Sequence, residues 1–299
     1  MALSFHKAQK KQAKLRLGLV GPSGSGKTFS ALAIATGLGG RIAVIDSERG
    51  SASLYADKFT FDVLELSSFK PEIYVEAIHA AEAAGYDVLI IDSLSHAWAG
   101  KDGALQMVDD AAARSRSGNK FAAWREVTPV HNALVDAMLL SRCHVIATMR
   151  AKTEWVLEDN DKGQKVPRKI GLQPVQRDGM EYEFTLVGDL DGATFITGKT
   201  RCPEVAPQKS VIQRPGIEFG KALRDWLENG SEPDPAVESA VAAGTDLINS
   251  KPFAEVKDAI RAHLETIPAN VREEVRARLL SAYSTRAAVE HAKEQQPAA

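Results

Sequence analysis

The chain has 299 residues, 44% of them hydrophobic and 25% charged, with a formal net charge of -2. That balance excludes a uniformly basic nucleic-acid-coating protein, so any nucleic-acid surface must be local. No apolar run reaches the roughly 18 residues that span a bilayer, and two cysteines, Cys143 and Cys202, are too few for a disulfide framework and lack zinc-ligand spacing.

In chain order, "LRLGLVG" (15–21) predicts a strand and residues 27–38 a helix. "RIAVIDS" (41–47) is a second strand, "PEIYVEAIHAAEAAG" (71–85) a helix and "YDVLIIDS" (86–93) a third strand. Residues 121–142 predict a long helix with Pro129 as a kink point, and "CHVIATMR" (143–150) a fourth strand. These runs are too continuously apolar to alternate, which is the pattern of parallel strands covered on both faces. The expected fold class is therefore α/β, with a mainly parallel sheet. "EYEFTLVGDLDGATFITGKTRC" (181–202) predicts an antiparallel hairpin turning at "GDLDGA". The Gly-, Ser- and Pro-containing stretch 229–235 reads as a linker, followed by helices near 236–248, 252–266 and 270–294. The expected organisation is a basic arm over 1–14, a core over 15–228, that linker, and a helical region over 236–299.

The chemistry concentrates after the first strand. Gly21-Pro22-Ser23-Gly24-Ser25-Gly26-Lys27-Thr28 satisfies G-x-x-x-x-G-K-[ST] between a strand and a helix, the context a phosphate cradle requires. Glycines let backbone N–H groups turn onto phosphate oxygens, and the helix N-terminus adds its positive dipole end. Lys27 is expected to reach the β- and γ-phosphates, and the Thr28 hydroxyl to ligate Mg²⁺. Phe29 follows the loop directly. Asp92 ends a buried strand, where open α/β sheets bind ligands, and is the second expected Mg²⁺ ligand. The implied cofactors are ATP and Mg²⁺.

"AVIDSERGSASLYADKF" resembles the corresponding stretch of RecA recombinases. The resemblance implies that Glu48, two residues after Asp46, activates water, and that Tyr55 packs on adenine. It implies a γ-phosphate sensor at the end of "HVIATMRAK", where Thr148 and Arg150 are the candidates and the glutamine typical of RecA is absent. It also implies that Lys199 and Arg201, on one face of a strand, reach a neighbouring subunit's γ-phosphate. "PVQRDGMEYEFTLVGDLDGATFITGKTRCP" is similar to the end of the compact RecA-like P-loop ATPases of bacteriophages, among them single-strand-annealing proteins. That likeness implies an ATPase acting in recombination on single-stranded DNA, assembled as a homo-oligomeric ring or filament. It further implies work beside a single-strand-binding protein in a bacterial host's cytoplasm, with no membrane partner.

In the same resemblance, DNA contacts fall on two mobile loops, here 100–120 and 151–172. The candidates are Arg114, Arg116 and Lys120 in the first, and Trp155, Lys165, Arg168 and Lys169 in the second. Cations there would track phosphates and the indole would stack a base. The basic run Lys7, Lys10, Lys11, Lys14 and Arg16 is a further candidate. Acids are interleaved with the loop cations, as on an ordinary solvated surface. Two rival readings stay open: a helicase or helicase-loader ATPase, and a nucleotide-dependent switch acting on a protein partner.

Overall fold

The computed structural model describes residues 9–115, 118–159 and 165–294, with the backbone alone for 153–159, 165–171 and 292–293. The chain begins with β1 (Arg16–Gly21), α1 (Lys27–Leu38), β2 (Ile42–Asp46), β3 (Asp62–Glu65), α2 (Pro71–Ala83) and β4 (Val88–Asp92). Three helices follow, α3 (Leu94–Ala99), α4 (Ala104–Arg114) and α5 (Lys120–Leu140), then β5 (His144–Asp159) and β6 (Lys165–Pro174). β7 (Leu186–Asp191), β8 (Thr194–Thr200) and β9 (Val211–Gln213) complete the sheet. α6 (Ile217–Glu228), α7 (Pro235–Ser250), α8 (Phe253–Thr266) and α9 (Ala269–Glu294) end the described chain.

Among the described residues the sheet has the order β3-β2-β4-β5-β1-β7-β8-β9, with β6 paired to β5. β3, β2, β4, β5, β1 and β7 are mutually parallel; β8 pairs antiparallel with β7, and β9 antiparallel with β8. β1, β2 and β4 are buried at every position, as their unbroken apolar runs require. Successive side chains go to opposite faces. Leu17, Leu19, Val44, Ile90 and Ile146 meet α1 and α6, whereas Val20, Ile45, Leu89, Ile91 and Val145 meet α2 and α5. Each large apolar side chain removed from water there contributes roughly 1.5–3 kcal/mol. The fold is mixed α/β with a mostly parallel central sheet and flanking helices, consistent with a RecA-like P-loop fold.

Four expectations need correction. The segment 100–120 is not a loop throughout: α4 occupies Ala104–Arg114 and packs Val108, Ala111 and Ala112 against Ala123 and Val127 of α5. In the segment 151–172 the described residues 151–159 and 165–172 lie on the antiparallel strands β5 and β6, with a register shift between Glu154 and Trp155. "EYEF" is not strand, because Met180–Glu183 forms a single 3-10 turn and β7 starts only at Leu186. α6 adds a helix where the sequence pattern predicts none. It docks on α1 through paired glycines: a Cβ on Gly37 would lie 2.1 Å from the Ile217 carbonyl oxygen, and one on Gly220 2.2 Å from that of Ile34.

Three of the five cations in the basic run near the start, Lys10, Lys11 and Arg16, are engaged within the fold. Arg16 is 6% exposed and donates to the carbonyls of Leu15, Leu139, Ser141 and Cys143. It therefore satisfies the C-terminal carbonyls of α5, and burial lowers its pKa to about 10. Lys10 lies 4.3 Å over the Trp226 ring and donates to the Trp226 carbonyl, while Lys11 pairs with Glu274 at 3.4 Å. Lys7 lies outside the described residues. The last three helices have their own core, including Val241, Ile248, Val256, Val275 and Leu279. α9 also packs along α5, where Val289 joins the main core.

Candidate nucleotide-binding site

Register brings the functional side chains to one edge. Gly21 of β1 is opposite Arg150 of β5, Ile91 of β4 is opposite Ala147, and Asp46 of β2 is opposite Asp92. The carboxyl ends of four neighbouring parallel strands therefore line up, the place where such sheets bind ligands. β5 lies between the strand that carries the phosphate loop and the strand that carries Asp92.

The loop turns tightly from β1 into α1. Gly24 has φ 76° and Gly26 φ 88°, the left-handed region that favours glycine. Among the described residues no side chain caps α1, so its first N–H groups are left for the loop. The tip of the β7–β8 turn buttresses the other side, where the Ala193 N–H donates to the Ser25 carbonyl at 3.2 Å. Ser25 Oγ is buried, with no hydrogen-bond partner among the described residues. Lys27 Nζ donates to the carbonyls of Gly21 and Pro22 at 2.9 and 2.7 Å. Burial lowers its pKa, opposed by the charges of Asp92 and Glu48.

Asp92 is 2% exposed. Thr28 Oγ1 donates to its Oδ2 at 2.6 Å and Thr148 Oγ1 to its Oδ1 at 2.5 Å. Burial pushes the Asp92 carboxyl above its usual range; the two hydroxyls oppose this, and Glu48 and Asp46 add to it. A buried carboxylate touching a threonine hydroxyl at the helix start is a hard-oxygen donor pair, and it fits Mg²⁺.

Glu48 and Arg150 meet across the same edge. Arg150 Nε donates to Glu48 Oε1 at 2.9 Å and its terminal nitrogen to Oε2 at 2.5 Å. Burial works to raise the Glu48 pKa, but the hydrogen bonds and charge of Arg150 hold it below the usual carboxylate range. Asp46 has a structural part: its carboxylate accepts from the N–H groups of Glu48 and Ala52, which fixes the loop carrying Glu48.

Residues 13–213 match the protein family described as an AAA domain. The chain belongs to that family. Membership implies nucleotide binding, usually with Mg²⁺, and NTP hydrolysis. No curated protein and no solved structure matches the chain significantly.

Within this AAA domain the remaining predicted residues are dispersed. Tyr55 is half-buried, its ring edge-on to Phe29 at 5.6 Å, and Phe29 is the more open ring at 42% exposure. Lys199 Nζ donates to the carbonyls of Tyr182 and Phe184, and Arg201 donates to that of Tyr182 at 3.4 Å. Both cations thus converge on the turn before β7. Lys199 also lines a cleft of about 660 Å³ with Gln176, Arg177 and Asp189. Arg114 pairs with Glu126 at 2.8 Å and Lys120 with Asp109 at 2.6 Å, so these two cations brace α4 against α5. Arg116 lies outside the described residues, as do the side chains of Trp155, Lys165, Arg168 and Lys169.

Sequence reasoning missed a second layer behind the acids. Ser47 Oγ accepts from the Ser93 N–H at 2.8 Å and meets His96 Nδ1 at 2.7 Å, while the Ser47 N–H donates to the Asp92 carbonyl. His96 stacks on Phe69, and its pKa is lowered by burial and then by the Arg150 charge. Gln176 ties the helix after β4 to α5, donating to the Leu94 carbonyl and meeting His131 Nε2 at 3.1 Å. A signal for the serines was present: both acid-bearing strands end in Ile-Asp-Ser, at 45–47 and 91–93. For His96 and Gln176 no sequence spacing points to the contact.

Proposed function

We propose that this chain is an ATP-dependent, single-stranded-DNA-binding recombination protein that hydrolyses Mg-ATP at subunit interfaces and promotes annealing or strand exchange. The observation carrying the nucleotide part is the convergence of Lys27, Thr28, Asp92 and Glu48 on one sheet edge. Bound Mg²⁺ would neutralise phosphate charge between Thr28 and Asp92. The phosphate-loop N–H groups and Lys27 hold the β- and γ-phosphates, and Tyr55 and Phe29 face the base. Glu48, once free of Arg150, orients the attacking water and takes up its proton. Lys199 and Arg201 turn from the Tyr182 carbonyl to the terminal phosphate of a neighbouring subunit.

The DNA part is supported by where the two inserted elements start. The α3–α4 segment leaves the end of β4, and β5 runs on past Arg150 to pair with β6, both starting beside the acids. Lys152 is exposed at the hairpin root, and backbone pairing sets Trp155 opposite Lys169. Phe121 is 88% exposed at the start of α5. A strand held on these elements would act directly on the hydrolytic edge.

The pairing of Arg114 and Lys120 with acids favours a second reading, a nucleotide-dependent switch on a protein partner, with the C-terminal helices as its docking module. ATP hydrolysis with and without single-stranded DNA, in the wild type and Lys27→Ala, separates the two. DNA stimulation that vanishes in the variant supports recombination. Hydrolysis indifferent to DNA selects the switch, and no hydrolysis in the wild type overturns both.

A further inference from the structure

The Glu48–Arg150 pair poses a problem for hydrolysis. Both carboxylate oxygens are engaged by one guanidinium, in the planar, two-bond geometry that arginine uses for carboxylates and phosphates alike. In that arrangement Glu48 has no oxygen uncommitted to Arg150. Arg150 in turn sits in register with Gly21, the first residue of the phosphate loop, on the strand next to the one that carries that loop.

We propose that Arg150 is a two-position guanidinium, held by Glu48 in one position and by the terminal phosphate of a bound nucleoside triphosphate in the other. Glu48 is then the built-in competitor of that phosphate. The exchange sets the preference for triphosphate over diphosphate, and it frees the carboxylate only when there is a terminal phosphate to cleave. The inference rests on the nucleotide reading of the phosphate loop and adds to it a specificity mechanism.

Three features make the exchange local. The Arg150 backbone is pinned on both sides: its N–H donates to Ser95 Oγ at 2.9 Å and its carbonyl accepts from the Val175 N–H at 2.7 Å. Only the side chain needs to turn. That side chain is 50% exposed and the Glu48 side chain 24%, so water screens the pair and keeps it weak enough to give way. The rival ligand is stronger, because a terminal phosphate carries more charge than a carboxylate and offers three oxygens to the same fork. A diphosphate has no group at that position and leaves the pair closed.

The test is isothermal titration calorimetry with Mg²⁺ and either a β,γ-imido ATP analogue or ADP. The proteins are the wild type, Glu48→Gln, Arg150→Met and the double variant. Removing the competing charge in Glu48→Gln is expected to tighten the analogue about tenfold and leave ADP nearly unchanged. Arg150→Met is expected to weaken the analogue alone. Adding Glu48→Gln to Arg150→Met is expected to bring almost no further gain, because the guanidinium to be released is gone. An equal gain in both backgrounds would mean simple charge repulsion and would overturn the exchange. An unchanged analogue-to-ADP ratio in Glu48→Gln would do the same. Arg150→Lys, which keeps the charge without the fork, is expected to retain less than half of the discrimination, and full discrimination there also overturns the proposal. A wild type that binds neither nucleotide fails the phosphate-loop reading instead, so the two failures are distinguishable.

Discussion

Thr148→Val isolates one hydrogen bond at the centre of the site. Thr148 is 0% exposed, and its hydroxyl donates to Asp92 Oδ1. Valine has nearly the same shape, so the change removes a donor without opening a cavity. A hydrogen bond to a charged group is worth about 1.5–3 kcal/mol, so a loss of about 2 kcal/mol is expected at neutral pH. The pH dependence follows from the direction of the Asp92 shift. Burial raises its folded-state pKa, so the folded protein holds the proton more tightly than the unfolded chain does. Ionisation therefore costs stability as pH rises through the folded pKa, and the Thr148 bond lessens that cost. Without the hydroxyl the folded pKa moves higher still. The variant should fall further behind the wild type as pH rises. Below the wild-type folded pKa the gap should shrink toward the roughly 1 kcal/mol of a neutral bond. Urea denaturation of both proteins at about pH 3.5, below the ordinary aspartate range and so below the raised one, and at about pH 8 reads this difference. A gap identical at the two pH values, or one below about 0.5 kcal/mol at neutral pH, would refute the account of Asp92 as a buried carboxylate held by hydroxyls.

Arg16→Met should lower stability by at least about 3 kcal/mol in urea denaturation, because the Leu139, Ser141 and Cys143 carbonyls lose their shared donor. An effect near zero would show that water takes the place of the guanidinium. Gly26→Ala meets no close atom, the Ala193 Cβ being 3.8 Å away, so its effect is one of backbone strain at φ 88°. It is expected to cost about 1–2 kcal/mol of stability and to weaken Mg-ATP binding in a nucleotide titration; unaltered binding would contradict the role assigned to this turn.

What could be read from the sequence was local. The phosphate loop is one strand, one turn and one helix start, and its glycines, lysine and threonine have fixed offsets that survive any tertiary arrangement. Asp92 was legible for the same reason, as the polar end of an apolar run. The Glu48–Arg150 pair joins residues 102 apart in the chain, and only the strand order brings them together. Arg16 shows the limit of counting charge. In the sequence it extends a basic run, yet in the fold its cation is spent on helix carbonyls. The two loops at 100–120 and 151–172 follow from the family resemblance, and composition does not correct it: α4 is rich in alanine with charges between, and its apolar stripe is visible only against α5. The β5–β6 hairpin carries charged residues along both strands and lacks the buried-strand signature of the central sheet.

The central claim is that the nucleotide held at this edge governs the grip on a DNA strand. Titration of a fluorescently labelled single-stranded oligonucleotide, with Mg²⁺ and either the β,γ-imido ATP analogue or ADP, tests it directly. The account predicts tight binding with the analogue, weaker binding with ADP, and no difference between them in Lys27→Ala. Equal affinity with both nucleotides in the wild type would contradict it.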